Sequence, residues 1–227
     1  MTSIYISDSD LTHIKGQVVI ITGIYSHIPF VSVAYIIPGA SSDIGLSTLR
    51  RVLKHGGKAF VSDLNPLSEP EKSSVPFLKV DVTSWTKQVV SFKAAEEKYG
   101  HLDHVFANVG IGPSFSLLED EVNMRGDLIA PKRNTIEVNL IGCIYTVKLG
   151  INYLGKNPRG GSIVATSSAS SFARFPRTDY TTTKHAVLGI VRSLYEQSHP
   201  NIPICVNAVA PAWTATAILP SEIMESL

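Results

Sequence analysis

Short apolar, β-branched runs alternate along the chain with longer segments whose apolar residues recur at helical spacing. The runs are QVVIITG at 17–23, KAFVSD at 58–63, FLKVDV at 77–82, HVFANVG at 104–110, SIVATSS at 162–168 and IPICVNAVAP at 202–211. Between them the spacing predicts helices over about 43–55, 84–99, 131–156 and 178–198. Segment 63–76, DLNPLSEPEKSSVP, holds too much Pro and Ser for more than a short helix. Strands alternating with helices in this way are the signature of βαβ units. The expected architecture is α/β, a doubly wound parallel sheet of six strands.

Composition narrows this to one body. A chain of 227 residues with 44% hydrophobic content buries one sizeable core, so a single domain over 1–227 is expected. No internal repeat, linker or low-complexity tail interrupts it. The net charge of +1 offers no basic field for nucleic acid or an anionic membrane, which leaves a small molecule as the expected partner. Cys143 and Cys205 stand far apart without CxxC spacing, against a disulfide framework or a zinc site, so no metal is expected and a reducing, cytoplasmic setting fits. The N-terminus, MTSIYISDSDLTHIKG, lacks the basic start and apolar centre of a secretory signal. One stretch, Gln17 to Ser42, carries no formal charge and is long enough to cross a bilayer. Gly23, His27, Pro29, Pro38 and Gly39 within it, and the strand pattern at its start, argue against a membrane helix.

That stretch holds the first candidate for chemistry. With residues 24–39 deleted in thought, Gly23 joins Ala40 to give VVIITG-ASSDIG, a strand entering a tight glycine turn that opens a helix. Such a turn lets backbone N–H groups and the helix N-terminus face a pyrophosphate. An acidic residue for the adenosine ribose belongs roughly 20 residues beyond the turn. Asp63 lies 24 residues after Gly39 but 40 after Gly23, so the second glycine keeps the register. Three readings of residues 24–39 compete: a surface insertion, a membrane or partner contact, or translated intron. Composition favours the last. Loop insertions are usually polar and rich in turn formers, whereas IYSHIPFVSVAYIIPG is apolar and β-prone, and sixteen residues keep the reading frame.

The second candidate is TSSASSFARFPRTDYTTTKHAV, which sets Tyr180 and Lys184 four residues apart on one helix face. A phenol with a pKa of about 10 is a poor base at neutral pH, and a neighbouring ammonium brings it toward working range. That pairing serves proton exchange with an alcohol or a carbonyl. Ser168, twelve residues before the Tyr at the end of a strand, can bond the same substrate oxygen, with Ser167 as the neighbouring candidate.

In chain order, the glycine turn, Asp63, Asp81, FANVG, VNLIG with Asn139, Ser168, Tyr180, Lys184 and VAPAWTAT resemble the short-chain dehydrogenase/reductase family from Lys15 onward. The resemblance implies a Rossmann fold and a nicotinamide cofactor. It implies that Tyr180 exchanges the proton, Lys184 lowers its pKa and holds the nicotinamide ribose, Ser168 positions the substrate oxygen, and Asn139 supports a proton-relay water. It places the cofactor on Gly23, Gly39, Ser41, Ser42, Asp43 and Ile44 at the turn, and on Asp63, Asp81, Val82, Asn108 and Gly110. Tyr180, Lys184, Pro211, Thr214 and Thr216 complete that set, Thr216 at the carboxamide. Departures from the family pattern are Asp43 at the middle glycine of TGxxxGxG, Val109 in the usual Asn-Ala-Gly, and Ala212 where Gly is preferred. Helices carrying Asn139 and Tyr180 form the subunit interface in many relatives, so a homodimer or homotetramer is implied. Family members usually continue for several tens of residues, so the resemblance also implies C-terminal truncation, with one sheet edge and part of the pocket open.

Asp63 bears on the cofactor through its charge. A carboxylate accepts both ribose hydroxyls but repels a 2′-phosphate, and Leu64 and Asn65 supply no cation for one, so NAD(H) is expected over NADP(H). The substrate expected is a secondary alcohol or ketone of moderate size. SFARFPRTDY suggests a partly apolar pocket bordered by Arg174 and Arg177, which can equally be solvated. Two further readings stay open: a catalytically inactive product of the split turn and short C-terminus, and a non-catalytic dinucleotide- or partner-binding protein.

Overall fold

The computed structural model describes residues 14–22, 44–198 and 203–212. Six strands pair in parallel: β1 (Val18–Thr22), β2 (Lys58–Asp63), β3 (Phe77–Lys79), β4 (His104–Ala107), β5 (Gly161–Thr166) and β6 (Ile204–Val209). Their order, β3-β2-β1-β4-β5-β6, is the doubly wound arrangement the alternation predicts. It reverses direction between β1 and β4, the position at which open α/β sheets bind ligands beyond the strands' C-terminal ends.

The strands are shorter than their apolar runs, chiefly at the C-terminal end. Residues 80–82, 108–110 and 167–168 leave the ladder and turn across the top of the sheet. Apolar residues continue there because the turn is buried, so hydropathy alone overruns the strand.

Alternate strand residues build two cores. Val18, Ile20, Phe60, Val105, Ala107, Ile163 and Ala165 face one helical layer, in company with Phe92, Val147, Leu154 and Val187. That layer is α3 (Trp85–Tyr99), α5 (Cys143–Leu154) and α6 (Thr178–Ser198). Val19, Ala59, Val61 and Phe106 face the other way, against Leu46, Leu49 and Val52 of α1 (Ile44–Lys54). α2 (Glu71–Ser74) is the short helix allowed for in the Pro-rich segment. On β6, Ile204 and Val206 are buried while Cys205 and Asn207 are exposed, so among the described residues that face of the sheet is open.

The helix expected over 131–156 forms in three pieces. α4 (Asn134–Ile136) runs into a π-helical segment (Glu137–Gly142), which runs into α5. Gly142 lies so close to Val82 that a Cβ would stand 2.8 Å from Val82 Cγ2. Buried Gln88 of α3 donates to the carbonyls of Val82 (2.6 Å) and Gly142 (3.1 Å) and accepts from Thr146 Oγ1 (2.8 Å). This polar bracket joins α3 to α5 where the π segment ends.

The opposite end of the sheet is knit by Asp103, just before β4. Its buried carboxylate accepts from Val18 N (2.7 Å), Asn157 Nδ2 (3.0 Å) and Arg159 (3.0 Å). Its backbone N–H donates to Val18 O, and its carbonyl accepts from Ser162 N, so one residue registers β1, β4 and β5. Asp103→Ala leaves the Val18 and Asn157 donors unpaired in the interior. Destabilisation of about 3 kcal/mol is expected in urea unfolding, and a loss within experimental error would show that the anchor is dispensable.

Candidate active site

The C-terminal ends of β4 and β5 bring together the residues singled out in the sequence. Lys184, buried in α6, donates from Nζ to Thr166 O at 2.8 Å, and Thr166 Oγ1 donates to Asn108 Oδ1 at 2.8 Å. The last residue of β5 therefore links Lys184 to the start of the β4 loop. Gly110 faces the same cation: a Cβ there would sit 3.1 Å from Nζ and 3.6 Å from Asn139 Oδ1. A side chain there would need the ammonium to give by a few tenths of an ångström.

Tyr180 lies one turn before Lys184, and Nζ stands 5.7 Å from the centroid of its ring. Ser168 stands near enough to the phenol to favour its ionised form. Ser167 is turned inward, its hydroxyl at 2.9 Å from Lys184 O and 2.6 Å from Ser171 Oγ. Ser168 in turn accepts from Ser170 N at 3.2 Å as the chain enters the 3₁₀ turn Ala169–Ser171.

The electrostatics differ from the expectation that Lys184 lowers the pKa of Tyr180. Burial pushes the phenol above its usual value, and Ser168 opposes this only in part. The ammonium is drawn to the Thr166 carbonyl and lies over the ring. Burial also lowers Lys184 itself to about 8, and the same burial pushes the Cys143 thiol up to about 11.

Asn139 occupies the middle of the π segment, a local irregularity often found at functional positions. Its Oδ1 accepts from Ile111 N at 2.8 Å and its Nδ2 donates to Ile111 O at 2.9 Å. The side chain is thus committed to the β4 loop. The water-supporting role implied by resemblance would have to come from elsewhere on this residue.

The remaining expectations divide by place. Asp63, at the end of β2, is buried and accepts from Asn65 N at 2.9 Å, a local turn that fixes the carboxylate. Asp81 accepts from Thr83 N (2.9 Å) and Oγ1 (2.7 Å), and Val82 is packed on Gly142. Ile44 opens α1, and Pro211 O accepts from Ala169 N at 2.8 Å, tying the exit of β6 to the Ser168 turn. Gly23, Gly39, Ser41, Ser42, Asp43, Thr214, Thr216 and the segment 24–39 lie outside the described residues. Arg174 and Arg177 are exposed, and Phe175 packs 6.3 Å from the Tyr180 ring, centroid to centroid.

Two residues that the sequence pattern did not flag complete the site. Thr135 of α4 donates to Gly112 O (3.1 Å) and Ser114 Oγ (3.0 Å). Asp179 accepts from Ser114 N (2.7 Å) and Oγ (2.8 Å). Both are buried polar residues on helices, a rare enough placement to have drawn attention, but hydropathy spacing treats them as solvent-facing.

A serine, a tyrosine and a lysine are gathered beyond the strand ends near a reversal of strand order, the place where open α/β sheets bind ligands. The chain belongs to the short-chain dehydrogenase family, whose profile matches residues 32–225. The match begins inside the segment 24–39 and so takes in Gly39 but not Gly23. The chain is similar to the short-chain dehydrogenase/reductase ascJ of Acremonium egyptiacum, at 39% identity over all of this chain and 73% of that protein. It is also similar to prx4 of Penicillium roqueforti, at 34% identity over 98% of this chain and 62% of that protein. Thus it spans roughly two thirds of the length of these fungal relatives. Among solved structures, ligand-free aldohexose dehydrogenase of Thermoplasma acidophilum superposes with a TM-score of 0.71 at 25% identity, covering 94% of this chain and 77% of that one. No helix among the described residues is long and apolar enough to cross a membrane.

The depressed pKa of Lys184 has a measurable consequence. The folded group, at about 8, releases its proton below the ordinary lysine value of 10.5, so between these values the unfolded chain binds more protons and stability rises with pH. Cys143 acts in the opposite sense only above 9. Compared with Lys184→Met, the wild-type chain should gain about 1.4 kcal/mol per pH unit above pH 8. Urea unfolding of both at several pH values checks this, and a flat or falling difference would show that the ammonium is not desolvated.

Proposed function

We propose that the protein interconverts a secondary alcohol and a ketone with NAD(H), Tyr180 exchanging the proton with the substrate oxygen. The observation that carries this reading is Tyr180, half-buried beyond the strand ends, with the buried Lys184 ammonium 5.7 Å from its ring centroid and Ser168 near enough to favour its phenolate. The residues present fit a nicotinamide dinucleotide: Gly110 leaves open the space a Cβ would fill beside Lys184, and Asp63 stands at the end of β2, where a ribose would be read. When bound, that cofactor supplies the hydride chemistry.

The chain's own residues do the rest. Tyr180, held neutral by burial, is in the form that donates a proton to a ketone oxygen; Ser168, whose hydroxyl lies on the same side, orients that oxygen. Lys184 supplies a positive charge close to the developing phenolate when Tyr180 gives up its proton. Asp63 favours NAD(H), because its carboxylate would repel a 2′-phosphate. Subunits associate as a homodimer or homotetramer, and the setting is cytoplasmic; both readings rest on the family and on cysteine usage.

A second reading, an inactive product, rests on one observation. Between Thr22 of β1 and Ile44 of α1 the sequence holds 21 residues, more than a pyrophosphate cradle needs. NADH titration by fluorescence energy transfer, on this chain and on the chain lacking 24–39, separates the two. Tighter binding by the shortened chain, by about tenfold or more, is expected. Equal tight binding would make the segment a genuine surface element, and no binding by either folded protein would sink the cofactor assignment.

A further inference from the structure

The loop after β4 runs along the candidate catalytic row, from Gly110 beside Lys184 to Ser114 beside the residue that precedes Tyr180. It is fastened at three points by side chains from the helices that carry the site. Asn139 grips Ile111, Thr135 holds Gly112 and Ser114, and Asp179 takes both the N–H and the hydroxyl of Ser114. All three side chains are almost fully buried, Asp179 at 2% exposure.

Asp179 is the unusual member. A buried carboxylate ordinarily has a cation, since desolvation is costly. Among the described residues no Lys or Arg pairs with it. Three donors satisfy it instead: Ser114 N and Oγ on Oδ2, and Tyr180 N on Oδ1 at 2.8 Å. One carboxylate therefore bridges the far end of the loop and the backbone of Tyr180. A neutral side chain would bury more cheaply, but no other group of this length could accept all three bonds.

We propose that Asp179 is a positioning residue that straps the loop Gly110–Ser114 to the first turn of α6 and thereby fixes the wall of the substrate pocket relative to Tyr180. The proposal rests on the oxidoreductase reading above and adds a determinant of which alcohols fit. Misplacement of a pocket wall by about 1 Å can cost on the order of a hundredfold in rate, and one extra methylene changes discrimination by roughly tenfold or more.

The test compares wild-type protein with Asp179→Ala and, should that variant fold poorly, Ser114→Ala, which removes only one hydroxyl. Hydrogen exchange of peptides covering 110–114 should accelerate by about tenfold while β4 and β5 stay protected. In the same variants the ratio of kcat/KM for a bulky and a small secondary alcohol should shift by about threefold or more, with NADH affinity unchanged. Ser114→Thr, which keeps both donors, should restore the wild-type ratio. Unchanged loop exchange, or acceleration spread evenly over the sheet, would overturn the strap. Faster loop exchange with an unaltered alcohol ratio would overturn its role in specificity. An inactive wild-type chain would count against the oxidoreductase reading, and the exchange result would still decide whether Asp179 holds the loop.

Discussion

A lysine ammonium buried without a carboxylate beside it constrains the upper half of the molecule. Among the described residues, the polar contact made by Lys184 Nζ is the Thr166 carbonyl, and burial alone lowers its pKa to about 8. Such a group is expensive to keep, and its surroundings are shaped to keep it. At position 110 a glycine leaves Nζ its room, where a Cβ would stand 3.1 Å away. Thr166 is fixed from its other side by Asn108, and Ser167 holds the Lys184 carbonyl. A methionine would fill the same volume without the desolvation penalty. A positive charge within reach of a phenol is what it could not provide.

The two ends of the sheet divide the work. At the N-terminal end Asp103 satisfies backbone and side-chain donors from β1, β5 and the segment after α5. At the C-terminal end the buried polar groups are arranged around loops rather than strands: Asn139 to Ile111, Thr135 to Gly112, Asp179 to Ser114. Strand pairing sets where each chain leaves the sheet, and these side chains set how it continues. The π segment belongs to the second group. It allows α4 and α5 to follow different faces of the β4 loop, with Asn139 turned into the loop and Gly142 pressed on Val82.

Much of this was legible in the sequence. All six strands and the four long helices follow from hydropathy period, since burial on both faces makes parallel strands continuous apolar runs. Tyr180, Lys184 and Ser168 were legible because their spacing is chemical as well as structural. What was not legible has a common cause. The register of Asn139 on Ile111, the strap from Asp179 and the bracket of Gln88 pair residues between 28 and 65 positions apart, and no local pattern encodes such a meeting. The same holds for Lys184: helical spacing puts it on one face with Tyr180, but the carbonyl that accepts from its ammonium belongs to β5 and lies outside any local pattern.

The split glycine turn and the intact chemical half are compatible because they lie on separate elements. The turn belongs to the β1 to α1 connection, whereas Ser168, Tyr180, Lys184 and Asn139 come from β5, α6 and the π segment. β1 keeps its place through its register with β2 on one side and β4 on the other, and through the Asp103 carboxylate at its first residue. None of these contacts passes through residues 23–43. The length of that connection therefore bears on the β1 to α1 side of the sheet, and the placement of Ser168, Tyr180, Lys184 and Asn139 is set by β4, β5 and the helices that pack on them.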